Sequence, residues 1–577
     1  MNDDELFEKA YSLHYGGQLP QAITLYEQLL NINPQNERAL QYLGLAYAQL
    51  GDMANAVLFM KQSLQLKPDN PVLLNNLGNA YKNIHDLDQA ISHYKEALHY
   101  NKEYAQAHCN LAGVYAIQGD YLQALEHYRQ AVHAEPDFIL AHFNLGLLLL
   151  KNNQLTPAKI QFKNVLALDP SHVEAQFYLG VLELEANRLK EAEHAFQTVL
   201  QENENHVQAL TNLGVVALKQ NNGQLAVDYF TRALTIDNDH IEARNNLAAT
   251  FIHHDRFENA LMHYDVLLQQ FPDNSEYLYN SGVAQMALGH LNEAIAHFEK
   301  ILETDPRHFA ALNNLAAIYL RLEDKERAKK LLQQALLVEP EDKSSRHMLN
   351  ALMNNQRAET APEYAANLFN NYALYYDQHL KDYLGYSLPE RIRKFLKEAD
   401  IQIVERVLDL GCGTGLSGAS IRSFCQELIG VDIAAKMLDQ AHEKGIYDQL
   451  VEDEIIHFLK KDTASYDLII AADVLPYFGD ISELFELISQ HLLTGAYFIF
   501  NTEISFEPPW QLQASARFSH HLDYLKQLSL KSHFRWIKQE EIASRKQEDK
   551  PLLTRLVILQ KEEAQYETCQ VRHPERS

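Results

Sequence analysis

The stretch Arg406–Gly418, RVLDLGCGTGLSG, joins an acidic residue to a run of glycines and is the part of the sequence best suited to chemistry. An apolar run ends at Asp409, and Gly411, Gly413 and Gly415 follow closely. Residues without side chains allow a ligand to lie against the backbone. The stretch therefore predicts a strand, a tight turn and a helix start that hold a dinucleotide, a nucleotide phosphate or another cofactor.

A second carboxylate, that of Asp432, helps to decide which ligand the glycine turn binds. Gly413, Gly415 and Gly418 fit the GxGxxG spacing of a dinucleotide site, but that pattern alone is weak. A carboxylate at Asp409 would repel a pyrophosphate seated at the helix N-terminus. The next predicted strand ends at Asp432, where a carboxylate can accept both hydroxyls of a ribose. Two carboxylates beside a glycine turn suit S-adenosylmethionine, which carries an ammonium group, a ribose and a cationic sulfonium.

The elements around this turn alternate between short apolar runs and helical stretches. Such alternation predicts βαβ units and a parallel sheet covered on both faces. The last two runs are separated only by RKQEDKP, so we expect them to pair antiparallel. The predicted fold is an α/β, Rossmann-like, doubly wound domain with a seven-stranded sheet that contains one antiparallel strand. The predicted strands are 407–410, 427–432, 449–452, 466–473, 496–503, 534–542 and 552–560.

Before this domain the sequence repeats at a fixed period from Asp3 to Asp342, which gives ten units. One position is always alanine, and the position four places later is usually aromatic, as in Ala90 and Tyr94. Small residues let two antiparallel helices approach closely, and such pairs stack because one pair cannot bury its own apolar face. The pattern resembles the tetratricopeptide repeat (TPR) and predicts an all-α TPR solenoid that binds a protein or peptide.

Asparagine recurs at the sixth position of the unit, on the first helix, which lines the concave surface in this repeat family. Asparagine is a mediocre helix former, so local propensity does not explain the recurrence. A carboxamide can both donate to and accept from a peptide group, so a ladder of them could form a peptide groove. This ladder resembles that of O-linked N-acetylglucosamine transferase; the alternative is a structural bond to a neighbouring turn. The residues are Asn76, Asn110, Asn144, Asn212, Asn246, Asn280 and Asn314.

Composition excludes several classes of function. The chain has 577 residues, too many for one core, so two or more domains are expected. Its net charge of −27 argues against nucleic-acid binding. The four cysteines lack metal-ligand spacing, which predicts no metal site and indicates a reducing, cytoplasmic compartment. We expect no membrane span, because no apolar run is long enough, and no secretory signal, because MNDDELFEKA has neither a basic nor an apolar region.

Four segments follow from these patterns. We expect ten TPR repeats at residues 3–342, then a capping helix and a linker at 343–362. The α/β domain is expected at 363–561, and a polar, flexible tail at 562–577.

The C-terminal segment resembles a class I S-adenosylmethionine-dependent methyltransferase, and more closely a bacterial group of predicted methyltransferases fused to TPR repeats. The motifs are VLDLGCGTG, the strand ending at Asp432, LFNNYALYYDQHLKDYLGYSLP, GIYDQLVEDEIIHFL, YDLIIAADVLPYFGD and ARFSHHLDYLKQL. The resemblance implies that Asp409 binds the methionine ammonium directly or through water, and that Asp432 holds the ribose. Gly411 and Gly413 would let the methionine lie against the backbone, while Gly415 closes the turn.

The resemblance also implies contacts to the adenine. Ile433 and Met437 would press on the ring, and Glu454, in the acidic cluster after the third strand, would meet its amino group. Tyr376 lies in a helix that resembles the lid over the cofactor in related enzymes. The alternative for Tyr376 is a packing aromatic.

Methyl transfer needs an acceptor aligned with the methyl group, and a base where that acceptor carries a proton. Asp473 and His520 are the predicted catalytic residues, with Tyr477, Glu503 and His521 as further candidates. The alternative for Asp473 is a helix cap, and for both histidines a solvated helix start. We also predict that Arg517 binds an acidic group of the substrate.

Three functions stay open. The first is an active methyltransferase whose solenoid recruits a protein substrate or partner. The second is an interaction scaffold whose methyltransferase domain binds cofactor without turnover. The third is a small-molecule methyltransferase that assembles into oligomers through its repeats.

Overall fold

A computed structural model describes residues 3–353, 355, 359–382, 384–402, 404–547 and 550–563. The chain forms two compact units, Met1–Gln270 and Phe271–Ser577. The division lies between the eighth and ninth helix pairs, so the last two pairs belong to the same unit as the α/β domain. Part of the predicted linker (354 and 356–358) and the predicted tail beyond 563 lie outside the described residues.

The first unit consists of antiparallel helix pairs that recur at the period of the sequence repeat. The helices are α1 (Asp3–Tyr15), α2 (Leu19–Ile32), α3 (Glu37–Gln49), α4 (Met53–Leu66), α5 (Pro71–Asn83), α6 (Leu87–Tyr100), α7 (Ala105–Gln118), α8 (Tyr121–Ala134), α9 (Ile139–Lys151), α10 (Leu155–Leu168), α11 (Val173–Glu185), α12 (Leu189–Glu202), α13 (Val207–Lys219), α14 (Gly223–Ile236), α15 (Ile241–His253) and α16 (Phe257–Gln270).

Packing inside each pair explains the repeat. The recurrent alanine is fully buried in all ten units, and so is the aromatic residue in most of them, as for Ala90 and Tyr94. A Cβ added to Gly78 would lie 2.6 Å from the Tyr94 ring, so the absence of a side chain permits close contact with the aromatic. The prediction of stacked helix pairs is therefore confirmed.

The turn between the two helices of each pair depends on one backbone conformation. The residue at this position has a positive φ in all ten units, and it is glycine in four of them. The non-glycine residues include His85 (φ 62°) and Glu323 (φ 61°), which bear a steric cost that glycine avoids.

The second unit begins with helices only. The ninth and tenth pairs are α17 (Ser275–Ala287), α18 (Leu291–Thr304), α19 (Phe309–Arg321) and α20 (Lys325–Val338), followed by α21 (Lys343–Leu352), α22 (Pro362–Asp382) and α23 (Leu388–Glu398). Helix α21 packs against the α/β domain, where His347 Nε2 contacts the Ala516 carbonyl oxygen at 3.0 Å. The capping helix therefore covers one side of the sheet domain as well as the last repeat.

The α/β domain contains a mixed sheet. Its strands are β1 (Val404–Leu410), β2 (Cys425–Asp432), β3 (Gln449–Glu452), β4 (Tyr466–Ala471), β5 (Leu492–Ile504), β6 (Trp510–Leu512), β7 (Phe518–His520), β8 (Phe534–Gln547) and β9 (Lys550–Lys561). Its helices are α24 (Leu416–Ile421), α25 (Ala435–Lys444), α26 (Ile455–Lys461), α27 (Ser482–His491) and α28 (Leu522–Lys531), with short 3-10 turns at Arg422–Phe424 and Leu475–Tyr477.

Strand order confirms the doubly wound fold. Strands β3, β2, β1, β4 and β5 lie side by side and parallel, and β9 pairs antiparallel with β5 along 497–503. Strand β8 pairs antiparallel with β9, as the short connection predicts. Helices α23 and α24 pack on one face of the sheet, and α26, α27 and α28 on the other.

Two short strands join the seven that the sequence predicts. Strand β7 pairs in parallel with β5 at Glu503–Ile504, and β6 pairs antiparallel with β7. Each has only three residues, too few for an alternating pattern to be recognised in the sequence.

Candidate active site

A cavity of about 700 Å³, including its open mouth, lies at the carboxyl ends of β1, β2 and β4, under α22. The carboxyl edge of a parallel sheet is where open α/β folds bind ligands. The cavity is lined by Thr360, Pro362, Ala365, Phe369, Tyr376, Gly411, Gly413, Asp432, Ile433, Met437, Glu454, Ile455, Ala472, Asp473, Val474, Tyr477 and Phe478. Of the nine residues predicted to bind the cofactor, seven line this cavity, and an eighth, Gly415, lies in the adjoining turn.

The glycine turn shapes the floor of the cavity. Gly411 has φ 63°, and an added Cβ would lie 2.4 Å from Val474 Cγ2. Gly413 has φ 54°, and no atom lies within 4 Å of the place where its Cβ would be, so space is open above it. Gly415 (φ 89°) is the N-cap of α24 and is not in the cavity wall.

Asp432 is held by backbone amides at the end of β2. Its Oδ2 accepts from the Gly413 amide at 2.8 Å and its Oδ1 from the Ala434 amide at 2.9 Å. An ionised carboxylate offers about four acceptor positions, so capacity for two more hydrogen bonds is left. Burial raises the pKa of Asp432, although these amide bonds oppose the rise.

Asp409 lies behind the glycine turn rather than in the cavity wall. Its side chain is fully buried; Oδ2 accepts from the Tyr447 hydroxyl at 2.7 Å, whereas Oδ1 has no hydrogen-bond partner among the described residues. Burial raises the pKa of Asp409 to about 7, with the Tyr447 bond lowering it and the charge of Asp432 raising it. A buried carboxylate with one unpaired oxygen is suited to a cationic group nearby.

The residues predicted to contact the adenine line the cavity wall. Glu454 is the N-cap of α26, and its Oε2 accepts from the His457 amide at 2.8 Å. Ile433 and Met437 lie on the adjacent loop and helix, and Met437 packs with the Tyr376 side chain. Burial raises the pKa of the Tyr376 hydroxyl above its ordinary value.

The opposite side of the cavity contains a buried ionic cluster. Arg517 donates from Nη2 to Asp473 Oδ1 at 2.7 Å, from Nε to Glu503 Oε1 at 2.5 Å, and from Nη1 to the Tyr477 hydroxyl at 3.0 Å. Its guanidinium is buried and bonded on three sides, so the prediction that Arg517 binds an acidic substrate group is wrong.

Comparisons with known proteins agree with this geometry. Residues 408–498 match the methyltransferase domain family. Tetratricopeptide repeat families match residues 10–51, 37–70, 59–92, 113–153, 143–196, 182–241, 217–284 and 285–353. The chain carries tetratricopeptide repeats and a methyltransferase domain.

Two curated relatives each match about a fifth of the chain. A ubiquinone biosynthesis O-methyltransferase of Proteus mirabilis (strain HI4320) is 25% identical over 118 residues, which cover 20% of this chain and 48% of that protein. The uncharacterized methyltransferase YcgJ of Bacillus subtilis (strain 168) is 25% identical over 124 residues, 21% of this chain and 49% of that protein. The chain thus spans about half the length of the curated relatives it matches.

Solved TPR structures overlap with part of the chain. YrrB, described as a TPR protein with an unusual peptide-binding site, is 23% identical with a TM-score of 0.30, covering 32% of this chain and 95% of that chain. MamA is 27% identical with a TM-score of 0.27, covering 28% of this chain and 94% of that chain.

Helix α22 is hydrogen-bonded to the methyltransferase domain at two places. The Asn370 Oδ1 accepts from the Lys436 amide at 3.0 Å, at the start of α25. Farther along α22, Asp377 accepts from Thr414 Oγ1 in the glycine turn and pairs with Lys444, which also donates to the Thr414 carbonyl at 2.6 Å. Sequence reasoning missed these anchors, because partners so far apart in the chain leave no local pattern.

Neither predicted histidine reaches the cavity. His520 is fully buried, with Nδ1 2.6 Å from Thr502 Oγ1 and Nε2 3.0 Å from the Gly479 carbonyl oxygen. Burial lowers its pKa to about 4. The prediction of His520 as a catalytic base is therefore wrong, because both ring nitrogens are engaged away from the cavity. His521 caps α28 by accepting from the Asp523 amide, as its alternative interpretation predicts.

Asp473 is in the wall, but it is a weak base. Burial alone would raise its pKa, yet the charges of Arg517 and Arg545 and its hydrogen bonds hold the pKa below the ordinary value. A base for this chemistry should titrate near neutral pH. Asp473 also adopts φ 61°, and its amide donates to Asn501 Oδ1 at 2.6 Å.

The asparagines of the TPR repeats are all half-buried on the first helix of their pair. Several carboxamide nitrogens make contacts inside the solenoid, to the first helix of the preceding pair. Asn110 Nδ2 donates to Asn75 Oδ1 at 2.9 Å, and Asn314 Nδ2 donates to the Tyr279 hydroxyl at 3.3 Å. Such bonds agree with the alternative that these asparagines have a structural role within the repeats. The peptide groove stays a proposal.

A second, wider cleft of about 1710 Å³, including open solvent, lies between the tenth repeat and the methyltransferase domain. Arg321 and Lys325 come from the repeat, and Gln511, Gln513 and Ser519 from the segment containing β6 and β7. Glu503, the partner of Arg517, also lines this cleft.

Among the described residues, no group of three or more His, Cys, Asp and Glu side chains converges as a metal site would require. Within the same part of the chain, no helix combines the length and apolar character needed to cross a membrane.

Proposed function

We propose that the chain is an S-adenosylmethionine-dependent methyltransferase whose TPR repeats (3–342) recruit a protein or peptide to the domain at 363–561. The observation that carries this proposal is the cavity at the carboxyl edge of the sheet, where Gly411, Gly413 and Asp432 lie together. When bound, the cofactor supplies a methyl group already activated on a sulfonium.

The residues present fit this cofactor. Asp432 has acceptor capacity left for the ribose hydroxyls, and the open space above Gly413 admits the methionine backbone. The unpaired Oδ1 of Asp409 supports a bond to the ammonium group, directly or through water. Ile433 and Met437 would contact the adenine, with Glu454 toward its amino group and Tyr376 covering the site.

The protein's own contribution is positioning and exclusion of water. Helix α22, anchored through Asn370 and Asp377, covers the cavity with Phe369 and Tyr376. Enclosure strengthens charge interactions inside the site and keeps the acceptor aligned.

The repeats support a protein acceptor because stacked helix pairs form extended binding surfaces. The cleft that Arg321 and Lys325 share with the methyltransferase domain offers an acceptor chain a place beside the catalytic unit. The cysteines support a reducing, cytoplasmic location, and oligomers could form through the repeats.

Calorimetry with S-adenosylhomocysteine tests the cofactor part of the proposal. Asp432→Ala should weaken binding by at least about tenfold, since it removes both ribose acceptors. Asp439→Asn, an exposed acidic residue on α25, is the matched control and should bind as the wild type does. Equal affinity of Asp432→Ala and the wild type would contradict the assignment.

Recruitment is tested by tritiated-methyl transfer to lysate proteins. The triple change of Asn76, Asn110 and Asn144 to alanine should reduce labelling and leave cofactor affinity intact. A control triple of Asn83, Asn205 and Asn292, which lie away from the sixth position of the repeat, should have no effect. Cofactor binding without transfer would favour the scaffold, and label confined to small molecules would favour the small-molecule enzyme.

A further inference from the structure

The wall of the cavity has two chemically different sides. The residues assigned to the cofactor lie after β1, β2 and β3 and on α25, whereas Phe369, Asp473, Tyr477 and Phe478, which we call the acceptor side, lie on α22 and after β4. The charged residues of the described wall are Asp432, Glu454 and Asp473, all carboxylates. Asp473 is the one that the proposed cofactor contacts do not use.

The Asp473 carboxylate is negatively charged and has one oxygen available. Arg517 and Asn501 both donate to Oδ1, at 2.7 and 3.4 Å, while Oδ2 accepts no hydrogen bond from the described residues. The cations that act on it, Arg517 and Arg545, are not in the cavity wall. An acceptor entering the cavity therefore meets the carboxylate rather than a guanidinium.

Aromatic rings line the same cavity as this carboxylate. Phe369 lies edge-on to Tyr477 with ring centroids 5.2 Å apart, and edge-on to Tyr376 at 5.9 Å. The faces of aromatic rings attract cations, and aromatic cages recognise ammonium groups. A carboxylate among such rings adds a direct charge partner.

The backbone supports this placement. A non-glycine residue with positive φ persists only where its surroundings hold it. Asp473 is held in this conformation by Asn501, which is fully buried and bonds both its amide and its carboxylate. The orientation of the carboxylate is thus fixed before any substrate binds.

We propose that the acceptor side binds an amine, so that the methyl group is transferred to nitrogen of a cationic side chain or similar amine. This inference rests on the proposed function. Asp473 holds the ammonium form of the acceptor, and the aromatic rings enclose its apolar stem. An anionic acceptor, such as a carboxylate, would instead be repelled by Asp473.

The transfer step balances without a further reactant. The bound ammonium first loses a proton to water at the open mouth of the cavity. The nitrogen lone pair then forms the new N–C bond, while the S–C bond of the cofactor breaks and its electron pair stays on sulfur. The methylated ammonium carries the positive charge away or releases a second proton to solvent. Asp473 positions the nitrogen and takes no proton.

The wild-type chain gives the decisive test. Full-length protein is incubated with tritiated S-adenosylmethionine and lysate, and the labelled product is hydrolysed and separated. We expect the label in base-stable N-methylamines. Label released as methanol by mild alkali, or found on oxygen, sulfur or carbon, would overturn the inference while leaving the proposed function intact.

A binding measurement covers the case of slow turnover. Saturation-transfer NMR is recorded with the chain saturated with S-adenosylhomocysteine, using n-butylammonium and n-butyrate as probes. We expect a signal from the cation and none from the anion. Equal signals, or a signal from butyrate alone, would overturn the inference. Failure of S-adenosylhomocysteine to bind would contradict the proposed function itself.

Two variants assign the effect to Asp473. Asp473→Asn should weaken n-butylammonium binding by about tenfold and leave S-adenosylhomocysteine affinity unchanged. The control Asp439→Asn should change neither. Because Asp473→Asn also removes a partner of Arg517, its fold is checked by the fluorescence of Trp510 and Trp536. If it does not fold, Tyr477→Leu provides the second variant and should weaken the cation signal as well.

Discussion

The charge state of Asp409 gives a quantitative prediction about the apo protein. Its pKa in the folded chain is about 7 because of burial, against about 3.9 in an unfolded chain. A pKa raised by folding means that stability is lost as pH rises from the unfolded value to the folded one. For this shift, the loss between pH 4 and pH 7 is about 3 kcal/mol. Asp409→Asn, which stays neutral, should escape that loss.

Fluorescence makes this stability measurable in the whole chain. The sequence has two tryptophans, Trp510 and Trp536, and both lie in the methyltransferase domain, so their emission during urea unfolding reports on that domain. The free energy of unfolding of Asp409→Asn should exceed that of the wild type increasingly from pH 4 to pH 7. Parallel pH profiles for the two proteins would refute the reasoning.

Cofactor binding should lower the raised pKa of Asp409. A cationic ligand near the unpaired oxygen lowers the pKa of Asp409, so at pH 7, where the carboxyl is about half protonated, binding should release about half a proton. Calorimetry of S-adenosylmethionine in buffers of different ionisation enthalpy counts these protons. Asp409→Asn should lack this contribution, and an identical proton count in both proteins would contradict a role for Asp409 in binding the ammonium.

Three further changes test the packing and electrostatics. Arg517→Met leaves the buried Asp473 and Glu503 carboxylates unpaired and should cost about 3–5 kcal/mol by tryptophan-monitored unfolding at pH 7; a loss below about 1 kcal/mol would contradict the ion-pair assignment. Gly214→Ala places a Cβ 2.3 Å from the Phe230 ring and should destabilise α13 and α14 by about 1–3 kcal/mol, read as faster amide exchange there; unchanged exchange would show that the pair separates freely. His85→Gly relieves a positive φ and should slow exchange in α5 and α6, whereas Gly119→Ala at the equivalent turn should hasten it in α7 and α8; the opposite order would contradict the cost assigned to this conformation.

The repeats were predictable from sequence because their contacts are local. Ala90, Tyr94 and Gly78 lie within one helix pair, and the contact between the glycine and the aromatic ring recurs in other repeats. The sequence pattern therefore predicts which residues pack together. The parallel strands and the antiparallel pair β8 and β9 were predictable for a similar reason. Strand length and connection length together restrict how a sheet can be ordered.

The site was predictable on the cofactor side and not on the acceptor side. Gly411, Gly413 and Asp432 come from two adjacent strand ends, so a short motif places them together. The partners of Arg517 come from β5, from the turn after β4 and from the 3-10 turn that follows it, and no spacing in the sequence brings them together. His520 was misjudged because its burial depends on β7, a strand of three residues.

Methyl transfer by the full-length chain tests the central claim most directly. The chain is incubated with tritiated S-adenosylmethionine and host lysate, and both S-adenosylhomocysteine and acceptor-bound tritium are counted. We expect one S-adenosylhomocysteine for each methyl transferred, at a rate that falls with Asp432→Ala and not with Asp439→Asn. Absence of both S-adenosylmethionine binding and S-adenosylhomocysteine release would contradict the account.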